Sequence, residues 1–315
     1  VSQPSAAGRL NREPRPTHKQ AMSQRVFLTF TDRRMKNARQ RICNQAQELK
    51  FYSSVIGASE KSLDHEFRKR YREILNPKNT GYGYYIWKPR IVKQVLDNLE
   101  DGDILHWLDA GSHFNPIGLW RLREYFELAE QVEGGFLGFE NKPPTAPLAY
   151  DGRTLPDNSE YLLTKGDLFD WLGVRDRPEI TQTQQIGATT FILRKCKESV
   201  GLVNEWNQVF EDKLSLIDNS PSVSPNFEGF IQHRWDQSIL SILTKLHRVP
   251  TVSVFECWYP SLENCWQPDW DYIRDYPIWM KRDRQIKNPN PVYISYLKAR
   301  GKTKDAIGSL INKLK

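Results

Sequence analysis

Asp109 is the residue whose surroundings most invite chemistry. It closes the hydrophobic run Ile104-Leu105-His106-Trp107-Leu108 and is followed by Ala110 and Gly111, so a ligand can approach the backbone closely beside one carboxylate. A divalent ion that holds a diphosphate calls for two neighbouring carboxylates, because it needs oxygen ligands and must offset concentrated charge. The second acidic position here is Gly111. A Mn²⁺ or Mg²⁺ site is therefore expected to rest on Asp109, with His113 as the added ligand. The competing reading of Asp109 is a strand-end turn and helix cap, where Asp is common.

A second group lies in the stretch GYGYYIWKP from Gly81 to Pro89. Tyr84, Tyr85 and Trp87 offer faces for stacking, and Lys88 offers a cation for a phosphate. The alternative is an aromatic core with Lys88 at its solvated edge. Farther on, His233-Arg234-Trp235-Asp236-Gln237-Ser238 leads into a strongly periodic apolar segment. If His233 and Asp236 share the first helical turn, they face one cavity. Asp236 would then accept a proton from a hydroxyl, while Gln237 or His233 orients the substrate. The plainer reading is a helix start with an acidic residue near its positive end. Asp167, after Lys165-Gly166, either caps a helix or meets substrate hydroxyls.

The elements that must hold these residues follow from periodicity. Val26 to Thr31 reads as an opening strand, followed by a segment of helical character. Residues 50 to 56 give a second strand, and Phe67, Tyr71 and Ile74 recur at helical spacing within 63 to 75. Ile91, Val92, Val95, Leu96 and Leu99 predict an amphipathic helix before the turn Asp101-Gly102-Asp103. A strand over 104 to 108 comes next, with further short strands near 135 to 139 and 189 to 193. Helices are expected over 165 to 172 and, from Ile239, Leu240, Ile242, Leu243 and Leu246, within 230 to 246. The alternation of strands and helices predicts an α/β core with a mostly parallel sheet and ligands gathered at strand ends. Residues 258 to 291, rich in aromatics and prolines, read as loops covering a site.

Composition supports one large domain. The chain has 315 residues, 39% of them hydrophobic, enough to bury a core without disulfides or a structural metal. Cys43, Cys196, Cys257 and Cys265 are scattered, unlike the paired spacing of zinc sites, and read as free thiols in a reducing compartment. Lys and Arg exceed Asp and Glu by 45 to 38, which fits a phosphate-bearing partner or an anionic surface without selecting either. The basic residues are mixed with acidic ones and no nucleic-acid motif is present, so no specific nucleic acid is expected. The first 24 residues carry prolines and no apolar run of the signal-peptide kind, and no stretch reaches the 18 apolar residues of a membrane span. Residues 1 to 24 are expected to be a flexible segment, 25 to 299 the catalytic domain, and 300 to 315 an amphipathic segment. In the last, Ile307, Leu310, Ile311 and Leu314 share a helical face flanked by Lys302, Lys304, Lys313 and Lys315, suited to packing on protein or to resting on an anionic membrane.

Taken together, GYGYYIWKP, DGDILHWLDAG, LLTKGDLFDWLG, IGATTFILRK and FEGFIQHRWDQSIL resemble, in that order, bacterial capsule and lipopolysaccharide-type nucleotide-sugar glycosyltransferases with the GT-A fold. The resemblance spans roughly residues 26 to 246. It implies a GT-A-like single domain, with a mostly parallel twisted central sheet flanked by helices. It implies transfer of a sugar from a nucleotide-diphosphate donor to a glycan or lipid-linked glycan, in the cytoplasm or on the inner face of the plasma membrane. It places Thr29 and Thr31 at the nucleotide edge, Lys88 near the activated sugar and Asp109 at the metal-diphosphate position. Asp167, Gly187, His233 and Asp236 then fall on the sugar or acceptor side. Lys281, Arg282, Arg284 and Lys287 are further candidates for offsetting charge. A nucleotide-dependent hydrolase or phosphotransferase is the alternative, since Asp109 with Lys88 also suits phosphate chemistry, although the P-loop pattern is absent. A nucleic-acid-binding protein, suggested by the positive charge and interleaved tyrosines and tryptophans, ranks below it.

Overall fold

The computed structural model describes residues 23 to 285. Six strands form the central sheet: β1 (Arg25–Phe30), β2 (Ser54–Ala58), β3 (Ile104–Leu108), β5 (Phe136–Glu140), β6 (Thr190–Arg194) and β7 (Thr251–Ser253). Their order is β2-β1-β3-β6-β5-β7, and β4 (His113–Phe114) pairs separately with β8 (Ile278–Trp279). The pairs β1 with β2, β1 with β3, and β5 with β7 are parallel, whereas β6 runs against both β3 and β5. The sheet is thus mostly parallel with one reversed strand.

The reversal has a topological cause. β5 ends at the same edge of the sheet as β1 and β3, and the chain re-enters through β6 from that edge after the segment 141 to 189. It can therefore only run back down the sheet. Leu108 at the end of β3 faces Thr190 at the start of β6, which brings the residues before Thr190 beside Asp109.

Alternation of side chains across the strands builds a core on each face. On one face, Leu28, Phe30, Leu105, Trp107, Phe191 and Leu193 pack with helices α2 (Trp87–Asp97), α4 (Lys197–Asp212) and α5 (Trp235–Leu246). On the other, Phe27, Ile104, Leu108, Leu137, Phe139 and Ile192 pack with α1 (Lys36–Glu48) and α3 (Leu119–Gln131). Both faces of β1 and β3 are covered, which is why their sequences read as nearly continuous apolar runs.

Several boundaries move from those expected. The helical spacing over 63 to 75 gives a helix only at His65–Arg70, followed by turns up to Asn76-Pro77, where proline restricts the residue before it. Phe67 and Tyr71 still reach the core. The late helix starts at Trp235, so His233 precedes it rather than sharing its first turn with Asp236. Residues 1 to 22 and 286 to 315 lie outside the described residues, and with them most of the expected segment 1 to 24, Lys287 and the whole of the amphipathic segment 300 to 315.

Candidate functional site

The parallel strands β1 and β3 end at the edge where β6 begins, and the first turns of α2 and α5 point to that edge. Three charged side chains meet there. Lys88 Nζ lies 3.2 Å from Asp109 Oδ1 and 2.9 Å from Asp236 Oδ2, and donates to the Ala188 carbonyl at 2.9 Å. The ammonium is enclosed by the rings of Tyr85 and Trp107, each with its centroid at 5.4 Å. Lys88 is 2% exposed and Asp236 4%, while the Asp109 side chain keeps 36% of its surface open. Asp109 is thus the member of the cluster that solvent and ligand reach first.

A lysine in the first turn of a helix opposes the helix dipole, and a buried one loses its hydration as well. The two carboxylates reverse the balance. Burial pulls the Lys88 ammonium toward the neutral form, but Asp109 and Asp236 outweigh it and hold the proton more firmly than in a free lysine. Asp236 moves the other way. Burial raises its carboxyl, Lys88 lowers it, Asp109 raises it, and the result is about 6. Its Oδ2 forms a close ion pair with the Lys88 ammonium at 2.9 Å.

The backbone that presents Lys88 is unusual. From Gly81 to Tyr85 every residue has positive φ: 58°, 59°, 102°, 55° and 65°. Three of the five are tyrosines, whose Cβ makes the left-handed region costly by about 1–3 kcal/mol each. The turn is held from both sides. The Trp87 indole donates to the Gly81 carbonyl at 2.7 Å and stacks on Phe30 at 4.0 Å. Trp87 is therefore a buried prop under the turn, and Tyr85 contacts Trp235 at 5.8 Å between ring centroids.

Asp236 is fixed from the other side of the edge. Gln237 donates to Gln185 Oε1 at 2.8 Å, and Gln185 in turn donates to the buried Glu160 at 2.9 Å. Glu160 is also paired with Lys245 at 2.8 Å. This network ties α5 to the segment carrying Gly187 and Ala188, whose chain lies beside Asp109 through the bond from Asp109 N to the Thr189 carbonyl, 2.9 Å. Gly187 N donates to the Phe139 carbonyl at 2.7 Å, placing this glycine in the wall rather than the chemistry.

Residues 281 to 285 pass over the turn after β3. Asp283 N donates to the Gly111 carbonyl at 2.8 Å, and Arg41 clamps the Ala110 and Ser112 carbonyls and Asp283. A Cβ at Gly111 would lie 3.3 Å from Arg282 Cα, so a side chain there would need the crossing chain to give by a few tenths of an ångström. His113 turns to this strap: its Nε2 meets Asp283 at 3.1 Å and its Nδ1 meets Gln45 at 3.4 Å. Among the described residues, no three His, Cys, Asp or Glu side chains gather to hold a metal. An ion at Asp109 would find one carboxylate from the protein. That fits a metal that arrives with its own phosphate oxygens, as Mg²⁺ commonly does, and not a cage preformed by His113.

The remaining expected residues fall as follows. The Thr29 and Thr31 hydroxyls are buried at the end of β1 with no hydrogen-bond partner. Tyr84 is half-buried in the left-handed turn. The Asp167 carboxylate accepts from Val223 N and Ser224 N, with contacts of 2.7 to 3.0 Å, and so anchors a neighbouring loop. Lys281 lies over the Trp279 ring, 4.3 Å from its centroid. The Ala188 carbonyl carries no side-chain signal in sequence, and Glu160 is far from the site in the chain. Neither was legible as a contributor.

No family model and no curated relative matches the chain. Two of the solved structures similar to it are glycosyltransferases. The apo form of mouse xyloside xylosyltransferase 1 is 9% identical, with 75% of this chain and 87% of that chain covered and a TM-score of 0.40. A glycosyltransferase involved in the glycosylation of the major capsid of PBCV-1 is 8% identical, with 84% and 98% covered and a TM-score of 0.36.

Proposed function

We propose that the chain is a GT-A-type glycosyltransferase that moves a sugar from a nucleotide-diphosphate donor to the hydroxyl of a glycan or lipid-linked glycan, in surface polysaccharide synthesis. The observation that carries this reading is the Lys88, Asp109 and Asp236 cluster at the ends of the parallel strands, where α/β folds gather phosphorylated ligands. The ordered resemblance of the sequence segments supports it. Work at the inner face of the plasma membrane belongs to the same proposal.

Glycosyl transfer needs two things from a protein: a place for the diphosphate leaving group and a base for the attacking hydroxyl. Asp109, open to solvent, faces the donor. Mn²⁺ or Mg²⁺, brought in with the diphosphate, would offset its charge. Lys88 keeps the two carboxylates together without a second acidic residue at position 111. Asp236 has a raised proton affinity, the property of a general base tuned toward neutral pH, and the paired Lys88 ammonium keeps its carboxylate form accessible. In one displacement, the acceptor oxygen bonds to the anomeric carbon and passes its proton to Asp236. The bond to the diphosphate breaks and its electron pair leaves with the nucleotide. That course inverts the anomeric configuration, and NMR of the product linkage showing retention would reject it.

The test is incubation with a panel of nucleotide sugars and bacterial glycan or lipid-linked acceptors, with mass detection of products. Transfer is the expected result. No donor binding and no transfer across the panel would overturn the reading, and free phosphate with an intact sugar would redirect it to a phosphotransferase. Calorimetry settles the metal: Mn²⁺ alone should give no binding, whereas Mn²⁺ should tighten donor binding, and Asp109→Asn should remove that gain. Donor affinity unchanged by chelator would discard metal assistance.

A further inference from the structure

The cations of the chain are unevenly placed. Lys and Arg exceed Asp and Glu by only 45 to 38, yet two segments that leave the sheet side by side hold much of the surplus. β1 is the parallel neighbour of both β2 and β3, so the chain beyond Phe30 and the chain beyond Ala58 emerge at the edge that carries Asp109. After β1 come Arg33, Arg34 and Lys36, all exposed. After β2 come Arg68, Lys69, Arg70, Arg72 and Lys78, also exposed. The Arg34 guanidinium donates to the Pro77 carbonyl at 2.7 Å, which joins the two segments into one surface.

Carboxylates do not balance this surface. Asp32 is buried and paired with Arg34, Asp64 is paired with Arg90 at 2.6 Å, and the half-buried Glu60 is offset by its neighbour Lys61. Glu66 and Glu73 are the exposed acids of the stretch. Arg33, Lys36, Arg68, Lys69, Arg72 and Lys78 form no ion pair among the described residues. The short helix His65–Arg70 turns Phe67 inward, and Tyr71 just after it is buried as well. Residues 65 to 73 therefore show cations and no Phe, Tyr or Trp face to solvent. Crowded like charges repel one another over about a Debye length, 8–10 Å, and an anionic partner relieves that repulsion.

We infer that this basic rim docks the protein on an anionic lipid bilayer, with the strand ends and Asp109 turned toward the membrane surface. Cations spread over an open edge suit a plane of headgroup charge, to which each Lys or Arg adds its own attraction. Single-stranded nucleic acid would instead call for rings on which bases stack. Sequence periodicity offered residues 300 to 315 for a lipid contact; among the described residues the exposed charge sits at 33 to 36 and 68 to 78. Delivery of a lipid-linked acceptor to Asp109 from the bilayer rests on the glycosyl-transfer reading, but the docking itself does not.

The experiment is sedimentation of the full chain with vesicles of phosphatidylcholine, or of an equal mixture with phosphatidylglycerol. Binding should require phosphatidylglycerol and fall about tenfold or more between ~0.1 M and ~0.5 M salt. Replacing Arg68, Lys69, Arg72 and Lys78 together by Gln should weaken it about 100-fold or more, the scale of four lost surface cations. Arg33→Gln with Lys36→Gln should weaken it about tenfold from the other segment, so neither result hangs on the folding of one stretch. Leu310→Glu with Ile311→Glu should leave binding as it was. Equal binding to both vesicle types, binding retained by both Gln variants, loss of binding in the Leu310 and Ile311 variant alone, or tighter binding to an RNA oligonucleotide than to the anionic vesicles overturns the assignment. Transfer assays on the same proteins separate the two claims. Vesicle binding with no transfer to any acceptor sinks the transferase and leaves the docking surface standing. Transfer with no vesicle binding does the reverse.

Discussion

At the scale of single residues, the site depends on how three charges share a buried corner. Removing Lys88 as Lys88→Met takes away the cation that holds the Asp236 carboxyl down, so that Asp236 must take up a proton or stay charged and unpaired in the interior, a change that costs up to about 3–5 kcal/mol. Urea unfolding should show that loss, and the double variant Lys88→Met with Asp236→Asn should recover most of it, because the second change removes the unpaired ionisable group. Asp236 also sets two pH dependences of opposite sign. In the fold it binds its proton more tightly than its ordinary value of 3.8 allows, at about 6. Its protonation therefore favours the folded state, a contribution present below the unfolded value and lost as pH rises through about 6. In the proposed general-base role the carboxylate is the working form, so kcat/KM should climb through pH about 6. Asp236→Asn should lower transfer by about 10²–10⁴-fold and remove that ascending limb. A folded Asn variant with normal transfer would return Asp236 to the role of counter-ion for Lys88.

At the scale of elements, the left-handed turn from Gly81 to Tyr85 sets where α2 begins and hence where Lys88 points. Gly81 has φ +58°, and a Cβ there would lie 2.3 Å from the Tyr85 ring. Gly81→Ala should cost about 2 kcal/mol or more through backbone strain and ring displacement. Because Tyr85 covers the Lys88 ammonium, transfer should fall in excess of what the lost stability explains, as initial rates well below the unfolding temperature would show. Full activity in a folded variant would mean that the turn serves the core alone. The strap over Gly111 is the second such element: its backbone passes 3.3 Å from where a Cβ at 111 would sit, beside the position at which the usual motif carries its second acidic residue.

For the whole molecule, the two-faced sheet decides which groups are sealed. None of the four cysteines forms a disulfide; Cys43 and Cys257 are buried and Cys196 and Cys265 half-buried. Burial also raises the Cys43 and Cys257 thiols, which lowers their thiolate fraction at neutral pH. Labelling with a thiol reagent under native conditions should modify Cys196 and Cys265 first, with Cys43 and Cys257 reacting only as the protein opens. Prompt native labelling of Cys257 would contradict the packing of β8 and the surrounding chain over α3. No helix of the described residues is long and apolar enough to cross a membrane.

What the sequence determined by itself was local. The apolar run before Asp109 could only be a buried strand, and its bounds, Ile104–Leu108, match the expected ones. The periodicity of α5 and α2 was legible for the same reason, since one face of each helix must be buried. Helices α3 and α4 were equally periodic, with Leu122, Tyr125, Phe126 and Ala129 buried along one face of α3, yet carried no chemically marked residue to draw attention. Tertiary structure decided everything that depends on distant segments meeting. The direction of β6 follows from which edge of the sheet the segment 141 to 189 returns to, and no local pattern encodes that. The pairing of Lys88 with Asp236, 148 residues apart by their numbers, exists because two helix starts converge on one sheet edge. The same convergence explains the lysine's burial: the sequence places it beside aromatic rings, but only the two carboxylates from elsewhere in the chain make a charged ammonium stable there.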